Sequence, residues 1–153
     1  IVESSMLGRL TTHEFHQAIC DKLHVNIEYH EFIELWNSIL YLDYEVACYV
    51  EELANSQTLI LASNTDEIHF PHCMDNFDVL KVFDQCFLSH VMGLLKPDPA
   101  YFHRVLYELW ASPANCIFID DRIGNVRSAQ SLGIKGLVFE SLDKLKSDLS
   151  SLI

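Results

Sequence analysis

The chain has 153 residues, enough for one ordinary domain or a core with a small appendage. Hydrophobic residues make up 50% and charged residues 21%, which excludes a disordered chain. A net charge of −12 would repel a phosphate backbone and argues against nucleic acid as a partner.

No apolar run is long enough to span a bilayer, so no membrane partner is expected. The opening Ile1-Val2-Glu3-Ser4-Ser5 has no basic segment followed by an apolar one, so it does not read as a signal peptide. It also lacks an initiator Met, which suggests a piece of a longer chain. The five cysteines are scattered and odd in number, and Cys20, Cys86 and Cys116 fall within apolar patterns. Buried free thiols in a reducing compartment, the cytoplasm, are the expectation.

The first third reads as helical. Thr11 and Glu14 form a capping box, and Phe15, Ala18, Ile19 and Leu23 follow at helical spacing. Asn26 opens a second segment with Tyr29, Phe32, Ile33, Trp36, Ile39 and Leu40 on one face, and a third runs from about Asp43 to Ala54. Short links between them predict a small helical bundle over residues 1–55. The pattern then changes. Thr58 to Ala62 is a continuous apolar run, as in a parallel strand covered on both faces. A mixed helical stretch with Pro71 reaches about Phe83, and Cys86-Phe87-Leu88 is a short strand. Asp98 and Pro99 start a helix that runs through Leu109. Cys116 to Asp120 is another strand, followed by a helix through Val126, Ala129 and Leu132 that Gly133 ends. Gly136 to Phe139 is a last strand and Leu142 to Leu152 a last helix. Strands alternating with helices over residues 56–153 predict an α/β, Rossmann-like parallel sheet.

Three polar clusters lie beside these elements. Ser63-Asn64-Thr65 can offer hydroxyl and amide groups to a phosphate oxygen beside helix N–H donors. Lys96, ahead of Pro97-Asp98-Pro99, can neutralise charge developing during group transfer. Asp120-Asp121 closes a strand, where ligands of open parallel sheets bind, and two carboxylates there suit Mg²⁺. Read alone, that pair could equally cap the following helix. The stretch His69-Phe70-Pro71-His72-Cys73 reads as a surface or helix-start segment and not a metal site, because a proline interrupts any regular face. His13 and His16 read as solvated, and Glu51-Glu52 with Glu28, Glu31 and Glu34 as exposed helix faces.

In this order the clusters resemble the haloacid dehalogenase-like hydrolase superfamily, in its branch with a small helical cap. Leu61-Ala62-Ser63-Asn64-Thr65 looks like that family's second motif, Gly93-Leu94-Leu95-Lys96-Pro97-Asp98-Pro99 like its third, and Phe118-Ile119-Asp120-Asp121 with Asn125 like its fourth. The resemblance implies a Mg²⁺-dependent phosphatase of small phosphorylated metabolites. Ser63 would bind the transferring phosphoryl oxygen with Asn64 beside it, and Lys96 would stabilise the nucleophilic carboxylate and phosphoryl charge. Asp121 would be the direct metal ligand, Asp120 would hold Lys96 or the metal's outer shell, and Asn125 would support the turn. The paired acids favour this branch over the 2-haloacid dehalogenases, which need no metal.

One departure matters. The family's first motif, Asp-x-Asp after an apolar strand, supplies the nucleophile, and no such triplet occurs in these residues. The resemblance implies that a front part of roughly 40–60 residues is missing, including the central strand of the sheet. Either that segment or a second copy fills the gap, or strands 58–62 and 116–120 pair directly. The chain by itself is expected to be inactive, with weak Mg²⁺ binding or none. A non-catalytic remnant, or an interaction module of the same fold, is the alternative.

Overall fold

The computed structural model describes residues 1–152; the last residue of the expected core, 153, lies outside them. They fall into two compact units, Ile1–Gly93 and Leu94–Ile153. The first unit contains helices α1 (Val2–Met6), α2 (Thr12–Leu23), α3 (Tyr29–Asn37) and α4 (Tyr44–Ala54), then β1 (Ile60–Ser63), α5 (His69–Asn76), a 3-10 turn (Asp78–Val82), β2 (Gln85–Leu88) and α6 (Ser89–Met92). The second contains α7 (Pro99–Leu109), a 3-10 turn (Pro113–Asn115), β3 (Ile117–Asp120), α8 (Ile123–Ser131), β4 (Lys135–Val138) and α9 (Leu142–Leu149).

The helical part follows its sequence signals closely at the start. Thr11 and Glu14 form both halves of the expected capping box. Phe15 and Phe32 are buried and meet edge to face at 5.6 Å, and Trp36 packs on Phe15 at 4.9 Å. The apolar cluster of Phe15, Phe32 and Ile68 is flanked by Ile19, Ile33 and Trp36. Three details differ. Helix α3 starts after Glu28, which makes no side-chain capping bond, and is not opened by Asn26; it ends at Asn37, so Ile39 is exposed. Leu23, the last residue of α2, is exposed as well. Helix α4 packs on the 78–82 turn, whereas α3 packs on α2 and α5. Helix α4 therefore packs on the α/β part of the unit.

Gly8 explains how the chain's first helix is seated. Its φ of +65° suits glycine, and a Cβ there would lie 2.2 Å from the His90 carbonyl oxygen. Only hydrogen fits between α1 and α6.

Both sheets are parallel and two-stranded. β1 pairs with β2 from Ile60 opposite Gln85 to Ser63 opposite Leu88, and β3 pairs with β4 from Ile117 opposite Lys135 to Asp120 opposite Val138. Each strand has a single ladder partner among the described residues, so the rearrangement that would pair β1 with β3 is not adopted. The expectation of fully covered strands is corrected accordingly. All four residues of β1 are only half-buried, and Ile119 of β3 is exposed. A strand with one neighbour cannot bury both its edge and its faces. The thiols follow suit: Cys20 is buried as expected, but Cys86 is exposed and Cys116 only half-buried.

In the second unit Tyr101, Phe102, Val126, Ala129, Ile134, Leu145 and Leu149 form the buried set. Asp98 caps α7 by accepting the Ala100 N–H, with Pro99 in the first turn, as predicted. Gly136 lets α8 lie directly on β4. A Cβ there would meet Val126 Cγ1 at 2.7 Å and Gln130 Cγ at 2.8 Å.

Candidate active site

Lys96, Asp120 and Asn125 are brought together in the second unit. The Lys96 ammonium donates to Asp120 Oδ2 at 2.7 Å, and both side chains are about nine-tenths buried (8% exposed each). Asp120 Oδ1 accepts the Arg122 N–H at 2.9 Å and the Asn125 Nδ2 at 2.9 Å. Asn125 is itself buried in the first turns of α8. Lys96 also lies 5.3 Å from the centroid of the Phe118 ring, a cation–π distance, and Phe118 is held edge-on by buried Phe102 at 5.0 Å.

This geometry decides the question the acidic pair posed. The N-cap of α8 is Arg122, and no side chain caps the helix. Asp120 instead organises the turn and fixes the lysine. Burial, the largest influence on the Asp120 carboxyl, pushes it up, but the bonds from Lys96, the Arg122 N–H and Asn125 together outweigh it and hold the carboxyl below its ordinary value. Asp120 is thus a committed anion. Asp121, one residue on, is exposed, and no hydrogen bond or ion pair engages its carboxylate among the described residues.

Ser63 and Asn64 lie in the first unit, at the carboxyl end of β1. Both are half-buried, and the next two residues, Thr65 and Asp66, are fully buried. Thr65 is bonded through its backbone to Ser89. Asp66 is 0% exposed and fully bonded: Oδ1 accepts the Ile68 and His69 N–H groups at 2.9 and 2.8 Å, and Oδ2 accepts the Trp36 indole N–H at 3.1 Å. His69 returns a bond from Nε2 to the Trp36 carbonyl at 2.9 Å, and the two rings stack at 5.2 Å.

Sequence reasoning missed this network. Trp36 lies on an apolar helix face in the sequence, and nothing in the spacing links it to Asp66. The histidine expectations need correction as well. His69 does start α5, but it is buried, and His16 is half-buried with Nε2 3.0 Å from the Ile27 carbonyl.

Mg²⁺ prefers six oxygen ligands in near-octahedral array. Among the described residues there is no group of three or more His, Cys, Asp or Glu side chains set to hold a metal. Asp121 can offer one carboxylate, and both oxygens of Asp120 are already engaged. These residues fit part of a Mg²⁺ shell and not a whole one.

Residues 4–133 match the haloacid dehalogenase-like hydrolase family. The chain belongs to that family. The HAD family enzyme bt-2542 of Bacteroides thetaiotaomicron, solved with magnesium and inorganic phosphate, superposes with a TM-score of 0.85 at 27% identity, covering 93% of this chain and 77% of that one. An L-2-haloacid dehalogenase of Xanthobacter autotrophicus superposes with a TM-score of 0.68 at 19% identity, over 97% of this chain and 64% of that one, and shares the fold. In sequence, the chain is 47% identical over 66 residues to the chloroplast flavin mononucleotide hydrolase 1 of Arabidopsis thaliana, covering 43% of this chain and 27% of that protein. It is 41% identical over 56 residues to the sesquiterpene phosphatase astK of Aspergillus oryzae, covering 37% and 29%. The chain spans less than a third of the length of these curated relatives. No helix among the described residues is long and apolar enough to cross a membrane.

Proposed function

We propose that these residues are the cap-and-core portion of a Mg²⁺-dependent phosphatase acting on small phosphorylated metabolites. The observation that carries this reading is the buried Lys96–Asp120 pair at 2.7 Å with exposed Asp121 beside it. A lysine held in this way can balance an anion that develops during transfer. Support comes from similarity to two proteins named for phosphate-ester hydrolysis and to an enzyme solved with magnesium and phosphate.

The roles follow from the side chains. Ser63 donates its hydroxyl to a phosphoryl oxygen, and Asn64 offers its amide alongside. Lys96 balances the negative charge of the nucleophile and the phosphoryl group, oriented by Asp120, which Asn125 and the Arg122 N–H hold in place. Asp121 would supply one ligand to Mg²⁺, which would neutralise phosphate charge. The reaction is attack by an aspartate carboxylate on phosphorus: a new P–O bond forms, the ester P–O bond breaks, and the leaving alkoxide takes a proton. Water then cleaves the acyl phosphate. That aspartate is not among these residues, since no Asp-x-Asp triplet occurs in them. The partner proposed is polypeptide that carries that motif, such as an N-terminal segment of the same protein.

Hydrolysis of para-nitrophenyl phosphate with Mg²⁺ tests the reading. The 153-residue chain alone is expected to show no turnover, and the chain supplied with an N-terminal Asp-x-Asp strand is expected to gain it. Turnover by the chain alone would refute the proposed division of the site. Failure of the completed protein on phosphate esters would favour the second reading, an interaction module, for which the absence of a nucleophile from these residues is the supporting observation.

A further inference from the structure

Ser89 is the first residue after β2 and is 0% exposed. Its hydroxyl accepts the Thr65 N–H at 2.9 Å and donates to the Thr65 carbonyl at 2.9 Å. The parallel ladder between β1 and β2 ends at Ser63 opposite Leu88. Beyond that rung β2 turns into α6, so no backbone remains there to continue the ladder. One side chain takes over, satisfying both polar groups of a single buried peptide segment two residues past Ser63. His90 Nδ1 lies 3.3 Å from the same carbonyl. On the other side Asp66 is held by the Ile68 and His69 N–H groups and by Trp36. The turn is thus gripped at Thr65 and Asp66, directly after the two residues assigned to phosphate.

The geometry points to Ser89 as a positioning residue for the phosphate-binding turn: its paired bonds to Thr65 hold Ser63 and Asn64 in the conformation that receives a phosphoryl group. This rests on the role proposed above for Ser63. Ser89 touches no substrate in this assignment; it acts through the Thr65 backbone. A hydroxyl is needed because the same atom must accept and donate. Alanine removes both bonds, strands the buried Thr65 N–H and leaves His90 Nδ1, at 3.3 Å, as the neighbour of the Thr65 carbonyl. Cysteine keeps the shape and weakens both.

The experiment uses the chain supplied with the N-terminal Asp-x-Asp strand, its Ser89→Ala and Ser89→Cys variants, and Ser63→Ala. Inorganic phosphate with Mg²⁺ is titrated while backbone amide shifts of residues 61–66 are followed by NMR, and amide exchange at Thr65 is measured in parallel. Wild type is expected to bind phosphate at this turn, and Ser63→Ala to lose it. Ser89→Ala or Ser89→Cys is expected to weaken binding about tenfold, with faster exchange at Thr65 and unchanged exchange at Leu61 and Phe87. The cysteine variant serves if the alanine one does not fold. Binding lost in Ser63→Ala but kept within about twofold of wild type in a folded Ser89 variant overturns the assignment of Ser89 alone. Wild type that shows no phosphate-dependent shift in the turn overturns both readings.

Discussion

Two turns in this molecule use the same local device to different ends. Each follows a parallel strand, and each is organised by an aspartate whose Oδ1 accepts the N–H two residues on: Asp66 from Ile68, Asp120 from Arg122. In each, Oδ2 accepts a side-chain donor from elsewhere in its own unit. The difference is the donor. Asp66 takes the Trp36 indole, with His69 Nδ1 3.7 Å from the same oxygen, and is wholly buried, whereas Asp120 takes the Lys96 ammonium and sits beside an exposed carboxylate. The first arrangement immobilises; the second also fixes the position of a charged group. A carboxylate after a strand is therefore not evidence of chemistry until its donor is known.

The comparison breaks most visibly at Asp66. Asp66→Ala removes the acceptor of the buried Ile68 and His69 N–H groups and of the Trp36 indole. We expect a loss of about 3–5 kcal/mol, measured by urea unfolding, because stranded buried donors cost more than the bonds themselves contribute. Asp66→Asn should lose less, about 1–2 kcal/mol, since an amide oxygen can still serve the two N–H groups. Equal losses in the two variants would show that the charge and not the acceptor geometry matters there.

Lys96→Met should divide stability from activity in the opposite sense. Asp120 keeps the Arg122 N–H and Asn125, so unfolding free energy should fall by only about 1–3 kcal/mol. In protein completed with the Asp-x-Asp strand, hydrolysis of para-nitrophenyl phosphate should drop by about 10²-fold or more. Retained activity would return Lys96 to the same structural class as Trp36.

Legibility in the sequence was uneven for a physical reason. Thr11 and Asp98 announced their helices because capping is local: the donor lies two or three residues from the acceptor. Lys96, Asp120 and Asn125 were legible through the family's motifs, and the structure joins all three. Trp36–Asp66 and Ser89–Thr65 were not legible, because bonds spanning 30 and 24 residues leave no periodic trace. Strand burial failed for another reason. An apolar run such as Leu59-Ile60-Leu61-Ala62 shows that a strand wants cover on both faces, and it cannot show whether a neighbouring strand is within the same residues.

The smallest effect tests whether the second turn is ionic. The Asp120 carboxyl is held below its ordinary value, by Lys96, Arg122 and Asn125 acting against burial. A group with a depressed folded pKa stabilises the native state fully above its unfolded value, near 4, and the contribution disappears as pH falls through the lower folded value. The stability gap between wild type and Lys96→Met should therefore be widest at neutral pH and narrow on the acid side. Lys96 is one of three donors to Asp120, and the Arg122 and Asn125 bonds are common to both proteins, so the narrowing should be on the order of 1 kcal/mol. Urea unfolding of both proteins at neutral pH and again below the unfolded carboxyl value reads it. A gap that is the same at both pH values would mean that Lys96 contributes packing against Phe118, and the contrast drawn with Asp66 would lose its electrostatic basis.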